Sequence, residues 1–273
     1  MGLRRSSGIR ETTSKFFLKS LLGVRKTVPT AFIYIELGVF PLRDVRLKRI
    51  IKYWIKILNL SEENPVKIVY KLLVNNIERY NLLPQRHIVN WAATVKKILE
   101  QHGFGYIWQQ QYVNNVNTFL SQFEQRINDM SLQYIRGGVV GCSDNRMFRH
   151  LTVDRGGANY LTSIKEKYIR IALARIRLGS HNFMVERGRW VRPKIAYELR
   201  ICQQCEDIED EYHVTMICTR FTTLRKRFLP KELYSNPSMY KFINFINTCK
   251  EKDLKYYGIF CHKVFIQYNE SFV

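Results

Sequence analysis

The chain has 273 residues, 46% hydrophobic and 13% aromatic, enough for one or two domains with real cores and too apolar for a disordered tail. Lys and Arg number 44 against 23 Asp and Glu, a formal charge of +21 that points to a polyanionic partner, RNA or DNA, rather than to a basic surface with no ligand. No run of about 18 apolar residues exists, Met1 to Phe17 lacks the apolar core of a secretory leader, and the six cysteines suit a reducing compartment, nuclear or cytoplasmic, with no membrane partner.

In chain order, residues 1–28 read as a basic N-terminal segment, frayed and then briefly helical, bounded by Val28-Pro29. A turn is expected around Leu37-Gly38 and Phe40-Pro41. Asp44 is a plausible N-cap for a long helix carrying Leu47, Ile50, Ile51, Trp54, Ile57 and Leu58 at helical spacing. Its other surface is crowded by Arg46, Lys48, Arg49, Lys52 and Lys56. That cationic face either tracks a phosphate backbone or is simply solvated. Asn64-Pro65 opens the next helix, with Val66, Val69, Tyr70, Leu73 and Ile77 inside, and Leu83-Pro84 ends the region. A further helix is expected over 90–102, stopped by Gly103 in the left-handed region. Gly103 to Trp108 reads as a Gly/aromatic turn packed on a core more than as a base-stacking platform. Asn114 opens an amphipathic helix with Val116, Phe119, Leu120, Phe123 and Ile127 on one face.

Residues 136–160, with Gly137-Gly138, Gly141 and Gly156-Gly157, read as a loose joint between two helical parts. Ser163 and Glu166 have the spacing of a capping box. The helix behind them carries Lys165, Lys167, Arg170, Arg175 and Arg177 around an apolar stripe and stops at Gly179. Arg187, Arg189, Arg192 and Lys194 follow in a loop-like stretch. A short helix after Cys218 adds Arg225 and Arg227 and ends at Pro230. Lys165, Lys167, Arg170, Arg175, Arg177, Arg187, Arg189, Arg192, Arg225 and Arg227 are therefore the candidate nucleic-acid contacts. Two more helices are expected, Met239 to Cys249 and Asp253 to Tyr268, and strand signals are weak throughout.

Between these basic helices lies the most informative stretch. Cys202 and Cys205 form a C-x2-C pair, with His213 and Cys218 at short spacing behind it. Thiolate and imidazole ligands select zinc, and four of them close a tetrahedral site with no open position. The expected cofactor is thus a structural Zn2+, which pins a loop lacking its own core. Glu206, Asp207, Glu209, Asp210 and Glu211 lie between the ligands as outer hydrogen-bond partners or as an exposed acidic loop. Cys249 with Cys261-His262 reads as core rather than as a second metal site.

No P-loop, G-x-S-x-G or H-E-x-x-H is present. The Asp-Asp or Asp-x-Asp pairs of a two-metal polymerase are missing too, Asp144 and Asp154 being isolated aspartates like the rest. No catalytic residue is assigned, and no small-molecule substrate is expected.

The fold class that follows is mainly α, a multi-helix assembly with a small Cys-Cys-His-Cys module near the C-terminus. Four segments are expected: 1–28, basic; 29–150, helical; 151–230, a basic helix plus the zinc-binding module; and 231–273, C-terminal helices.

Cys202-x2-Cys205, Glu209-Asp210-Glu211-x-His213, Cys218 and Leu224-Arg225 resemble the zinc-binding region that follows the reverse transcriptase domain in non-LTR retrotransposon polyproteins. Ala174 to His181 resembles that family's Leu-Thr-Arg-Leu-Arg-x-Gly-His segment, with Ser180 displacing the Gly-His step. Leu22 to Lys26 and Glu36 to Leu42 are similar to its Leu-Gly-Val-Lys-Lys and Glu-Leu-Gly-Arg-Tyr-Pro-Leu blocks, with Val39 where a basic residue is common. Tyr53-Trp54 and Gly103 to Trp108 look like further blocks of such elements. The resemblance runs from about Leu21 to Phe228. It implies that polymerase and endonuclease lie upstream in a full element, that Met1 was once internal, and that residues 29–150 follow a missing polymerase. The implied role is non-catalytic: holding element RNA or target DNA. A structural zinc module for protein partners, or a decayed copy with no independent function, are the alternatives.

Overall fold

The computed structural model describes residues 2–81, 90–141, 147–151 and 156–270. Leu83-Pro84, Cys142, Asp144 and Asp154 lie outside the described residues. The architecture is mainly helical, and the described residues contain no strand, only one isolated antiparallel bridge between Ile201 and Ile208. Two compact units are present. One comprises residues 1–39 and 135–273, the other residues 40–134. Residues 29–150 are therefore shared between both units.

The 40–134 unit follows its sequence periodicity except just after Pro65, where Val66 and Val69, expected inside, are exposed while Tyr70 and Ile77 are buried. It holds α3 (Leu42–Leu58), α4 (Pro65–Asn81), α5 (Trp91–Gln101), α6 (Gly105–Gln110) and most of α7 (Val116–Val140). Ile51, Trp54, Val95, Leu99, Phe123 and Ile127 meet in its core. Burying an aliphatic or aromatic side chain of this kind contributes about 1.5–3 kcal/mol. The Trp54 indole N–H donates to the Tyr70 hydroxyl at 2.8 Å, so the largest ring of the core also has its polar handle satisfied.

Helix boundaries in this unit show local chemistry at work. Asn90 Oδ1 accepts the Ala93 N–H at 2.6 Å and caps α5. Asn64 Oδ1 accepts the Val66 N–H at 3.0 Å beside Pro65. Gly103 has φ 85°, as the left-handed stop requires. Asp44, by contrast, is no cap, because α3 begins at Leu42 after Pro41. Asp44 sits buried in the first turn, where its carboxylate accepts the Ser131 hydroxyl at 2.5 Å. The expected Gly/aromatic turn contains the helical turn α6, and Phe104 packs edge-on against Phe119 and Phe123.

The other unit is built from α1 (Gly2–Leu21), α2 (Thr30–Leu37), the end of α7, α8 (Tyr160–Ser163), α9 (Lys167–Arg177), α10 (Met184–Arg187), α11 (Thr222–Phe228), α12 (Lys231–Tyr234), α13 (Met239–Thr248) and α14 (Glu251–Glu270). Its spine is α9 against α14. Ile169, Leu173 and Ile176 meet Tyr257, Phe260 and Val264 in one core. At Gly258 a Cβ would lie 2.4 Å from Ile169 Cγ2, so only glycine permits this close approach.

Two sequence expectations change here. Gly137-Gly138 is no loose joint, since both lie inside α7. Gly156-Gly157 serves a close backbone contact: a Cβ on Gly38 would stand 2.4 Å from the Gly156 carbonyl carbon. The Ala158 N–H bonds the Glu36 carbonyl at 2.8 Å beside it. The capping box does not form, because α8 ends at Ser163 and α9 starts at Lys167. Glu166 pairs instead with Lys255 of α14.

Candidate metal centre

Cys202, Cys205, His213 and Cys218 converge, with one ligand atom from each within 4.8 Å of every other. Local backbone chemistry brings them together in two steps. The Ile201–Ile208 bridge closes the first, with the Cys202 N–H on the Asp207 carbonyl at 2.7 Å and the Glu206 N–H on the Cys202 carbonyl at 2.8 Å. Glu206 completes this tight loop at φ 59°, a conformation costly for a residue with a Cβ.

The second step is a π turn over His213–Ile217, closed by the Cys218 N–H on the His213 carbonyl at 2.8 Å. On an ordinary α-helix, side chains five positions apart would diverge by about 140°. The wider turn brings ligands of that spacing back to one side. Asp210 Oδ1 accepts the His213 N–H at 2.7 Å and starts the turn.

The donor set fits a metal ion on three grounds. Cys218 Sγ lies 3.9 Å from Cys202 Sγ and 3.9 Å from Cys205 Sγ. That is far beyond the roughly 2.0 Å of a disulfide. It matches thiolates about 3.8 Å apart on the corners of a tetrahedron of about 2.3 Å arms. Both ring nitrogens of His213 are buried without a hydrogen-bond partner. An unsatisfied buried donor or acceptor costs about 1–3 kcal/mol, which a ligand bond would offset. Burial pushes the Cys218 thiol up to about 12, with the neighbouring Cys202 and Cys205 adding to the rise. A cation in their midst reverses that preference and holds the thiolates. Among the described residues no other group of three or more Cys, His, Asp and Glu side chains gathers in this way. Cys261 is buried in the core, consistent with its reading as a packing residue.

The acidic residues between the ligands divide by task. Asp207 Oδ2 stands 4.0 Å from His213 Nδ1 and is otherwise exposed. Glu209 is buried and accepts the Met184 N–H at 2.7 Å and the Tyr268 hydroxyl at 2.5 Å. Glu211 holds His181 Nε2 at 2.9 Å. Burial raises the Asp210 carboxyl to about 6. Glu209 thus ties the loop to α10 and α14, while Glu206 and Asp207 remain exposed acidic side chains.

The candidate nucleic-acid contacts also divide. Lys165, Lys167, Arg175, Arg187, Arg192 and Arg227 are exposed. Arg170 is half-buried and donates to the carbonyls of Ile164 at 2.8 Å and Lys165 at 2.9 Å, bridging the break between α8 and α9. Arg189 is half-buried against Glu186 at 2.7 Å. Arg177 and Arg225 are interior side chains and are withdrawn from the contact surface. Arg177 makes a two-pronged pair with Glu36 at 2.7 and 3.2 Å, beside the ring of Tyr160. Arg225 donates to the carbonyls of Thr215 at 2.7 Å and Cys218 at 2.8 Å, clamping the π turn. Charge alone does not separate these two from surface arginines; only the position of each on its helix face does.

Sequence reasoning passed over Arg25 and His181 as individual side chains. Both lie in the blocks Leu22–Lys26 and Ala174–His181, which the fold brings together: the Arg25 N–H donates to Ser180 Oγ at 2.8 Å. Among the described residues no helix is long and apolar enough to cross a membrane. No protein-family model, curated protein or solved structure matches the chain.

Proposed function

We propose that this chain is a non-catalytic nucleic-acid-binding region, similar to the segment downstream of the polymerase in non-LTR retrotransposon polyproteins. A structural zinc ion holds its Cys202–Cys218 loop, and exposed cations hold the RNA or DNA. The observation that carries this reading is the closed set of three thiols and one imidazole within a chain of +21 formal charge.

Zinc is the metal of choice because soft thiolates with an imidazole in tetrahedral array suit it over hard, oxygen-preferring cations. With four protein ligands no position is left for water or substrate, so the ion braces and does not react. What it braces is the loop between α10 and α11. Lys165, Lys167, Arg175, Arg187, Arg192 and Arg227 stay solvent-facing in the same unit and offer a polyanion several phosphate contacts.

Binding of the metal-loaded chain to RNA and DNA oligonucleotides at stepped salt concentrations tests the proposal. Affinity should fall steeply and linearly on a log–log plot as counterions compete. Absence of salt-sensitive binding at low ionic strength overturns it. Magnesium-dependent cleavage or primer extension that survives purification overturns the non-catalytic part.

A further inference from the structure

Away from the metal ligands, a cleft of about 300 Å³ opens between the loop after α1 and the turn after α9. Two guanidiniums from distant sequence meet on it. Arg175 Nε donates to the Gly23 carbonyl at 2.9 Å, across 152 residues of sequence. Arg25 donates through Nη2 to Asn182 Oδ1. Each bond uses one N–H of a five-donor fork, so each arginine is positioned while most of its donors remain for a ligand.

No carboxylate lines this cleft. Of the nearby acids, Glu186 pairs with Arg189 at 2.7 Å, and Glu211 bonds His181 of the cleft wall at 2.9 Å. The electrostatics agree. Burial pulls the Arg25 guanidinium below its ordinary value; Glu186 opposes the fall, and the Arg175 charge adds a smaller push to it. Burial, then Lys263 and Arg175, lower the His262 imidazole as well. His181 completes the wall with a buried Nδ1 that has no partner in the protein. A buried polar atom of this kind calls for an explanation, and two guanidiniums with donors to spare on a cleft lined by no carboxylate suit an anion.

We infer that this cleft is a phosphate site, in which Arg25 and Arg175 clamp one phosphate group of a nucleic-acid strand. Planar guanidinium forks match phosphate oxygens two at a time, which surface lysines do not. The inference rests on the nucleic-acid reading only for the source of the phosphate. The phosphate chemistry stands apart from it.

The test uses the full, metal-loaded chain with two probes, a short fluorescent oligoribonucleotide and inorganic phosphate. Arg25→Gln and Arg175→Gln should each weaken oligoribonucleotide binding about tenfold, the loss of one charge-assisted contact. Each should also reduce the salt slope by about one. Lys194→Gln, exposed and outside the cleft, should leave phosphate binding unchanged. Arginine-selective modification of the wild-type chain, read by mass spectrometry, needs no variant to fold. Either probe should protect Arg25 and Arg175, and inorganic phosphate, which needs only the cleft, should leave Arg192 reactive. Oligoribonucleotide binding that ignores both substitutions and protects neither arginine overturns the cleft and leaves the nucleic-acid reading standing. Protection by inorganic phosphate without any oligoribonucleotide binding does the reverse. No protection by either probe overturns the cleft.

Discussion

The 40–134 unit and the 201–218 loop reach order by opposite means. In the first, apolar residues recur at helical spacing, and α3, α4, α5 and α7 bury them against one another. Each helix carries its own instructions, down to the Asn90 cap. The loop has no such pattern. It relies on one bridge, one π turn, a residue at positive φ and a cluster of side chains that repel one another as thiolates. A stretch too short to bury a core of its own lends Val214 and Met216 to the core of its unit, and ligand bonds to a metal ion would supply the rest of its order.

The comparison is tested first, and most severely, at the ligands. Cys202→Ser or His213→Ala should abolish metal binding, seen as loss of one zinc per chain by elemental mass spectrometry. Ordering of the loop should go with it, since structural zinc contributes on the order of 10 kcal/mol in small peptides. Amide exchange should rise across the loop while α3 and α5 keep their protection. Metal-free protein whose loop stays protected would show that ligand bonds are not what holds it.

Trp54→Ala probes the other side. It removes a fully buried ring and its bond to Tyr70, and should cost about 3–5 kcal/mol in chemical denaturation. Metal content should stay at one per chain. A loss below about 1 kcal/mol would mean that the core collapses around the gap far more readily than close packing allows.

Arg225→Met sharpens the boundary between the two modes. It keeps most of the side-chain volume and removes the donors that hold the π-turn carbonyls. Bonds from a charged donor are worth about 1.5–3 kcal/mol, so metal affinity should drop by roughly tenfold or more. Nucleic-acid affinity measured at saturating zinc should change little, because this side chain is buried. A uniform loss of nucleic-acid binding at saturating zinc would return Arg225 to the contact surface.

Much of this was legible from residues alone. The helix positions of the 40–134 unit, the Gly103 and Gly179 stops and the Cys-Cys-His-Cys spacing are local properties, set by periodicity, φ and ligand type. Boundaries were less legible where a competing contact won. Glu166 has capping-box spacing but is drawn to Lys255, and Asp44 looks like a cap but takes Ser131. Both are carboxylates for which a partner distant in sequence outcompetes the nearest backbone N–H.

What residue order settles, then, is the helical class, the Cys-Cys-His-Cys set that could hold a metal and the excess of positive charge. Tertiary structure alone decides which cations face water. Arg175 and Arg177 stand two residues apart on α9, yet one is exposed and the other lies buried against Glu36. At about 100° per residue, two steps carry a side chain about 200° round, to the opposite face of the helix. Only the packing of α2 and α8 shows which side is the interior. The same holds for Arg25, whose meeting with Arg175 depends on a contact spanning more than half the chain.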